Sequence, residues 1–229
     1  MAVALILLFI FVVRKEDQPK LITMTTAKAE LKIGLGGSGF ATIDWGDGTP
    51  RETKTFGEND MGLVFDYKYE NDTLHTITIT GDNITSLICN ENQLKTLNIS
   101  GLTKLGMLHC ADNELTSLNM SKLFGLRKLH CYNNQLTSLN VSGLTKLEYF
   151  ACRGNQLTSL NINKHGNLNF LDCGENYITA GSLDTLLTSL PIVSSGTLDI
   201  SSNGLERDGS GTNECNKSIA VAKGWTVYD

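Results

Sequence analysis

A cysteine recurs every 21 residues through the middle of the chain, and this period constrains the fold more than any other feature. The recurring cysteines are Cys89, Cys110, Cys131, Cys152 and Cys173. An asparagine follows three residues after each of them, at Asn92, Asn113, Asn134, Asn155 and Asn176. A fixed period of this length indicates a repeat architecture, in which each unit buries its apolar face against the next one.

The residues around each cysteine follow the pattern L-x-x-L-x-C-x-x-N-x-L, with full copies beginning at Leu105 and Leu126. Flanking copies begin at Ile84 and Leu168. The pattern resembles that of leucine-rich repeats, at the short end of their length range. It predicts five copies within residues 83–179, wound into a right-handed solenoid with a parallel concave sheet.

The period also decides how the cysteines are interpreted. Because all five occupy one inward-pointing position, we expect a ladder of buried thiols that act as small apolar fillers. Strained disulfides and a metal site are the alternatives. Parallel Cβ vectors disfavour the disulfides, and the absence of C-x-x-C pairs disfavours zinc. We call the five asparagines that follow these cysteines the ladder asparagines. Their amides are expected to turn inward and form a ladder of paired amides that satisfies backbone groups at each bend.

Residues 1–20 contain an uncharged apolar run at positions 2–13. Such a run is too short to span a bilayer, and it is typical of a signal peptide or a truncated anchor. The alternative is an apolar terminal extension that packs on the protein. We expect contact with a membrane only through this segment.

Residues 21–82 alternate apolar and polar side chains between turn signals, which predicts short, half-buried strands in a β-sandwich. Residues 41–50, ATIDWGDGTP, resemble the W-x-F-G-D-G hallmark of PKD-like domains. This resemblance implies an immunoglobulin-like sandwich with Trp45 in its core. Asp44 and Asp47 offer too few ligands for calcium, and a turn in which they cap backbone N–H groups is favoured.

After Asn176 the period breaks. Residues 180–190 place leucines on one helical face, with Ser182 as the expected N-cap. A strand with an Asn turn at residues 197–205, a helix at 213–223 and a strand at 225–228 should follow. Residues 180–229 are therefore expected to form an irregular repeat and an α/β cap that covers the open end of the core.

Taken together, the segments predict a mainly β protein with short helices: an N-terminal β-sandwich, the solenoid and the C-terminal α/β cap. Residues 21–229 resemble the short secreted leucine-rich-repeat proteins of Bacteroides-type gut bacteria, through IDWGDGT, LTSLNVSGLTKL and SIAVAKGWTV. More widely, the chain is similar to internalin-like repeat proteins. The resemblance implies a non-enzymatic protein on the bacterial surface or secreted from the cell.

Sequence variation between the repeats concentrates at the positions that should face solvent on the concave sheet. The candidate binding residues are Met107, His109, Arg127, Lys128, His130, Tyr132, Tyr149, Arg153, Phe170 and Asp172. Exposed aromatic residues beside arginines are typical of binding hot spots, so we expect a protein partner here. A glycan that stacks on the same aromatic rings, or a structural spacer with no ligand, is the alternative.

Other functions find less support. His109 and His130 should lie one strand apart, but without a third ligand we expect solvated histidines and no metal. The net charge of −5 and the lack of a basic cluster argue against nucleic acid. No G-x-S-x-G, H-E-x-x-H or P-loop motif occurs, so neither an enzyme nor a cofactor is predicted.

Overall fold

The computed structural model describes residues 20–57, 62–203 and 215–229. The apolar segment at residues 2–13, which we interpret from the sequence as a signal or an anchor, lies outside these ranges. Neither of the helices within them is long and apolar enough to cross a bilayer.

Within these ranges the protein is mainly β with two short helices, as the sequence predicts. The strands are β1 (Lys20–Thr26), β2 (Glu30–Asp44), β3 (Glu52–Thr55), β4 (Leu63–Lys68), β5 (His75–Ile88), β6 (Thr96–Asn98), β7 (Met107–His109), β8 (Lys128–His130), β9 (Tyr149–Ala151), β10 (Phe170–Asp172), β11 (Gly196–Asp199) and β12 (Trp225–Tyr228). The helices are α1 (Ala180–Ser189) and α2 (Ser218–Val221).

The repeats form a parallel sheet in strict register. Leu108 of β7 lies beside Leu129 of β8, and Phe150 and Leu171 continue the same row. Each step along the row is one strand spacing, about 4.8 Å. The strand order β5-β7-β8-β9-β10-β11-β12 extends the sheet to the end of the chain. The predicted parallel sheet is thus confirmed, in the arrangement of a leucine-rich-repeat solenoid.

Two long strands, β2 and β5, build the N-terminal part of the sheet and contribute to two half-sheets. Residues 41–44 and 75–81 lie with β1 and β3 in one half-sheet. Residues 30–35 and 86–88 lie with β4 and β7 in the other. The register shifts between them in a bulge, which bends the strands. A Cβ on Gly37 in this bulge would lie 2.2 Å from the carbonyl oxygen of Asn83, so only glycine fits.

The N-terminal part continues into the first repeat without a break. Strand β5 pairs with β7, and β1 pairs antiparallel with β6. The buried Thr26 hydroxyl also donates to the Asn92 carbonyl at 2.7 Å. The boundary expected at residue 82 therefore falls inside β5. The likeness of residues 21–82 to a PKD-like sandwich stays a prediction.

A single hydrophobic core runs through the described residues. Leu105, Leu126 and Leu147 occupy the same repeat position and are fully buried. Burial of one such side chain contributes about 2 kcal/mol to stability. Because each repeat supplies the same set of leucines, the core is a stack of equivalent layers.

The C-terminal elements correct two details of the prediction. Helix α1 has Thr179 as its N-cap, and the Thr179 hydroxyl accepts the N–H of Ser182 at 3.4 Å. The prediction that Ser182 is the N-cap is wrong because Ser182 lies in the first turn and supplies the capped N–H. The helix expected at residues 213–223 is shortened to α2, and residues 204–214 lie outside the described ranges. Strand β12 has its expected bounds.

Candidate binding face

The in-register sheet places the candidate residues in two rows across the strands. Met107, Lys128, Tyr149 and Phe170 lie side by side in one row. His109, His130, Ala151 and Asp172 form the next row. Residues with 21-residue spacing thus become neighbours on one surface, although each comes from a different repeat.

Four aromatic side chains from these rows contact one another in sequence, and we call them the ring row: His109, His130, Tyr149 and Phe170. The ring centroids of His109 and His130 are 4.8 Å apart, and their planes are tilted by 39°. Those of His130 and Tyr149 are 4.5 Å apart, with 23° between the planes. Those of Tyr149 and Phe170 are 4.0 Å apart, with 3° between the planes. The ring row therefore runs without interruption from β7 to β10.

Stacking determines which parts of the rings a ligand can reach. All four residues of the ring row are partly buried, because each ring covers a face of its neighbour. Tyr149 has His130 on one side and Phe170 on the other, so both of its faces are occupied. Tyr132 approaches the ring row more loosely, with its centroid 6.0 Å from that of His109. The face thus presents mainly ring edges.

The two histidines are not solvated as expected, since neighbouring rings cover them. Burial, together with the nearby His109 and Lys128, lowers the pKa of His130 to about 4. Burial also lowers the pKa of His109, against the opposing effect of Asp112 and Glu91. Nε2 of His109 is buried and has no hydrogen-bond partner among the described residues. The described ranges contain no group of three or more potential metal ligands.

The two candidate arginines are held by carboxylates and stand outside the ring row. Arg127 pairs with Glu148 at 2.5 Å. Arg153 lies 2.7 Å from Glu175, 3.3 Å from Asp199 and 4.0 Å from Asp172. Ion pairs therefore orient both guanidinium groups, and the expected hot spot of exposed aromatic residues with arginines beside them stays a prediction. Lys128 remains exposed.

Asp172 belongs to the group of carboxylates around Arg153. Burial raises the pKa of the Asp172 carboxyl, and the negative charges of Asp199 and Glu175 add to this shift. The N–H of Gly174 and the guanidinium of Arg153 oppose the shift without cancelling it. Negative charge is therefore only partly compensated at this end of the face.

The repeated cysteines lie directly behind the face. All five are fully buried free thiols, and so is Cys215 except for a small exposed fraction. Burial raises the pKa of each ladder thiol, that of Cys110 to about 12. Such thiols are poor nucleophiles and poor metal ligands, because both roles require the thiolate.

The repeated asparagines fix the bend after each strand. Asn134 Nδ2 donates to the carbonyl oxygens of Cys110, Cys131 and Tyr132, and its Oδ1 accepts the N–H of Leu115. Equivalent hydrogen bonds are made by Asn113, Asn155 and Asn176. The amides thus bind backbone groups of two successive repeats and do not pair with each other, as a paired ladder would require.

The residue before each ladder asparagine has a left-handed backbone, which was not foreseen from the sequence. These residues are Glu91, Asp112, Asn133, Gly154 and Glu175, and Ser202 has the same place before Asn203, which follows β11. Their φ angles range from 48° to 63°. The sequence signal that could have indicated this backbone is the fixed position of the residue in the repeat, directly before each ladder asparagine. Its acidic members turn out to lie along one edge of the binding face.

Asp44 and Asp47 use their carboxylates within the turn. Asp44 accepts the N–H of Gly46 and pairs with Arg51 at 3.0 Å. Asp47 accepts the N–H of Thr49 at 3.0 Å and the hydroxyl of Tyr67 at 2.6 Å. These are the backbone-capping contacts that the sequence favours over a calcium site.

Of the comparisons with known proteins, only the comparison with solved structures finds proteins similar to this chain. No protein-family model matches the chain, and no curated protein matches it. A leucine-rich-repeat protein of Leptospira interrogans is 30% identical over 51% of this chain and 31% of its own, with a TM-score of 0.44. The internalin InlF of Listeria monocytogenes is 23% identical over 56% of this chain and 35% of its own, with a TM-score of 0.45.

A third similar structure is the functional domain of InlJ from Listeria monocytogenes, which includes a cysteine ladder. It is 25% identical over 66% of this chain and 41% of its own, with a TM-score of 0.42. The chain thus spans well under half the length of each of the three structures.

Proposed function

We propose that this is a non-enzymatic binding protein that recognises a protein partner through the ring row. The observation that carries the proposal is the continuous series of ring contacts from His109 through His130 and Tyr149 to Phe170 on the concave sheet. Aromatic residues near the centre of an interface supply much of the binding energy in protein complexes.

The ring row is held in place before a partner arrives. Its side chains stand on strands whose register is fixed by backbone hydrogen bonds and by the ladder asparagines. Mutual stacking further restricts the rotation of each ring. Association therefore costs little side-chain entropy, which favours affinity for a partner of matching shape.

Ring geometry favours a protein over a glycan. A sugar that stacks on an aromatic residue needs a free ring face, and both faces of Tyr149 are covered by His130 and Phe170. Ring edges and the side chain of Met107 instead suit the apolar side chains of a protein. Tyr132 adds a polar hydroxyl group to the same surface.

We also propose that the protein acts at the bacterial surface or after secretion. The apolar run at residues 2–13 supports export. Sequencing the N-terminus of the mature native protein tests this proposal. A terminus beyond residue 13 supports cleavage of a signal, whereas a native protein found in the cytosol with residues 1–13 intact contradicts export.

The binding proposal is tested by a double variant, Tyr149→Ala with Phe170→Ala. The matched control is Phe124→Ala with Tyr177→Ala, which removes one phenyl and one phenol ring from exposed positions outside the ring row. Both variants and the original protein are presented to surface-protein extracts and to a glycan array. Thermal unfolding first establishes that each variant is folded at the assay temperature.

Proteins that bind the original chain and the control variant, but not the ring-row variant, support the proposal. Equal capture by all three contradicts it. If a glycan binds the original protein and not the ring-row variant, and no protein is captured, the ligand is a glycan and the protein partner is excluded. If the original protein binds nothing in either assay, a structural spacer is favoured.

A further inference from the structure

One long edge of the binding face is acidic. We call this edge the acidic flank, and it consists of Glu91, Asp112, Asp172, Glu175 and Asp199. Backbone hydrogen bonds hold the strand ends side by side, for example from the N–H of Asp112 to the carbonyl of Tyr132. Each acidic residue is thereby fixed at the C-terminal end of a strand, beside the ring row.

Few cations compensate these five carboxylates. Arg153 is shared by Asp172, Glu175 and Asp199. Lys28 donates to the backbone carbonyl of Glu91. The carboxylates of Glu91 and Asp112 instead accept side-chain amides, from Asn90 at 3.1 Å and Asn133 at 2.7 Å.

The ion pairs of the described residues include neither Glu91 nor Asp112. The acidic flank therefore keeps a surplus of negative charge at the two ends of the ring row, beside β7 and beside β10, whereas β8 and β9 carry Asn133 and Gly154 at the corresponding position. At low salt, such a surplus attracts a cationic partner and disfavours an anionic one.

The opposite edge of the face has a different character. Arg127 is neutralised by Glu148, and the exposed Lys128 is the remaining charge beside the rings on β8. Along the strands, from their N-terminal to their C-terminal ends, the face thus passes from a mildly basic edge through an apolar centre to an acidic edge. A complementary partner needs apolar groups in the middle and cations on one side only.

We infer that the partner presents an extended basic segment, with apolar side chains against the ring row and lysine or arginine side chains against the acidic flank. The inference rests on the proposed function and specifies the chemistry of its partner. The ring row covers four strands, about 14 Å from first to last. An extended segment rises about 3.3 Å per residue, so roughly five residues cover that distance.

The segment runs across the strands of the sheet. Because successive side chains of an extended chain point to opposite sides, apolar and basic residues should alternate in it. This alternation distinguishes it from an amphipathic helix, whose apolar residues recur every three or four positions.

A display library of random linear peptides tests the inference directly. The library is selected on the original protein, and the affinities of selected peptides are measured for three variants. Glu91→Gln with Asp112→Asn removes two charges from the acidic flank while keeping side-chain size. Glu52→Gln with Asp184→Asn is the matched control, since it removes two charges on β3 and α1. Tyr149→Ala with Phe170→Ala removes half of the ring row.

We expect selected peptides to alternate apolar with lysine or arginine residues. Their affinity should fall about fivefold in the flank variant and stay unchanged in the control. It should also fall as salt is raised on the original protein, which is a second measurement that needs no variant.

Peptides that lack basic residues, yet lose binding in the ring-row variant, overturn the inference and leave the proposed function standing. Basic peptides whose affinity is equal in the flank and control variants also overturn the inference. A selection in which the ring-row variant binds every peptide as well as the original protein overturns both.

Discussion

The rings of Tyr149 and Phe170 lie parallel, with 3° between their planes and 4.0 Å between their centroids. The two residues are 21 positions apart in the chain and directly opposed on β9 and β10. Their contact shows how the repeat period brings side chains of different repeats together on one surface. It also has an energetic consequence that can be measured separately from binding.

Stacking of this pair predicts a coupling in stability. We expect Tyr149→Ala and Phe170→Ala each to destabilise the fold, and the double variant to lose about 1 kcal/mol less than the two single losses combined. Urea unfolding of all four proteins gives this coupling energy. Tyr149→Ala combined with Phe124→Ala should be additive, because Phe124 lies outside the ring row. Additivity in both cycles would show that the stack contributes nothing beyond burial.

The thiol ladder predicts a loss of stability at alkaline pH. Unfolded cysteines release their protons near pH 8.5, whereas burial raises the pKa of the folded thiols, that of Cys110 to about 12. Above about pH 8.5 the unfolded state therefore binds fewer protons than the folded state, and stability falls as pH rises. The slope is about 1.4 kcal/mol per pH unit for each thiol and about 7 for the five together.

We expect cooperative unfolding between about pH 9 and pH 11 under reducing conditions, followed by circular dichroism. Cys131→Ala serves as the comparison, because other groups that titrate in this range are the same in both proteins. Its slope should be smaller by about 1.4 kcal/mol per pH unit. Equal slopes would mean that the folded thiol at position 131 ionises as readily as the unfolded one.

The sequence predicts the repeated part of the fold well, because residues that are one 21-residue period apart occupy equivalent positions in neighbouring strands. Each repeated cysteine directly follows the last residue of a strand, so the 21-residue period alone is enough to place Leu108 beside Leu129. The bounds of the N-terminal strands could be predicted less well from the sequence. Strand β5 continues into the first repeat by pairing with β2 and β7. Local alternation does not reveal this continuation, because both partners lie far away in sequence.

The candidate face could be predicted only as a set of positions. All ten candidate residues belong to the repeats that form the parallel sheet, but their interactions depend on side-chain rotamers and on neighbours in other repeats. Arg153 stays a candidate contact for a partner, and its ion pairs with Glu175 and Asp199 are not evident from the sequence. The sequence does not mark Glu91 as part of the face, because a left-handed glutamate is unusual and residue type alone does not suggest that backbone.

Protonation of His130 should weaken the fold in acid. Burial lowers the pKa of His130 to about 4, while an unfolded histidine has a pKa near 6.5. Below pH 6.5 the unfolded state therefore gains a proton that the folded state does not, and stability falls as pH drops towards 4. Urea unfolding at a series of pH values should show this decline.

His130→Gln should flatten the decline, because glutamine does not titrate. Nuclear magnetic resonance of the imidazole in the folded protein provides an independent measurement of the His130 pKa. An observed value near 6.5 would contradict the burial of this ring within the ring row.

The ladder asparagines should contribute more to stability than any exposed asparagine of the same repeat. Asn134→Ala leaves the N–H of Leu115 without its side-chain partner in a buried bend, and it removes one of the two asparagine amides that donate to the carbonyl of Cys110. Each unsatisfied buried group costs about 1 to 3 kcal/mol, so we expect a loss of about 3 kcal/mol in the free energy of unfolding. Asn140→Ala is the control, since the exposed Asn140 caps only the neighbouring Ser142 and should cost less than about 1 kcal/mol. Similar losses in the two variants would show that water replaces the Asn134 amide, and the bend after β8 would then be open to solvent.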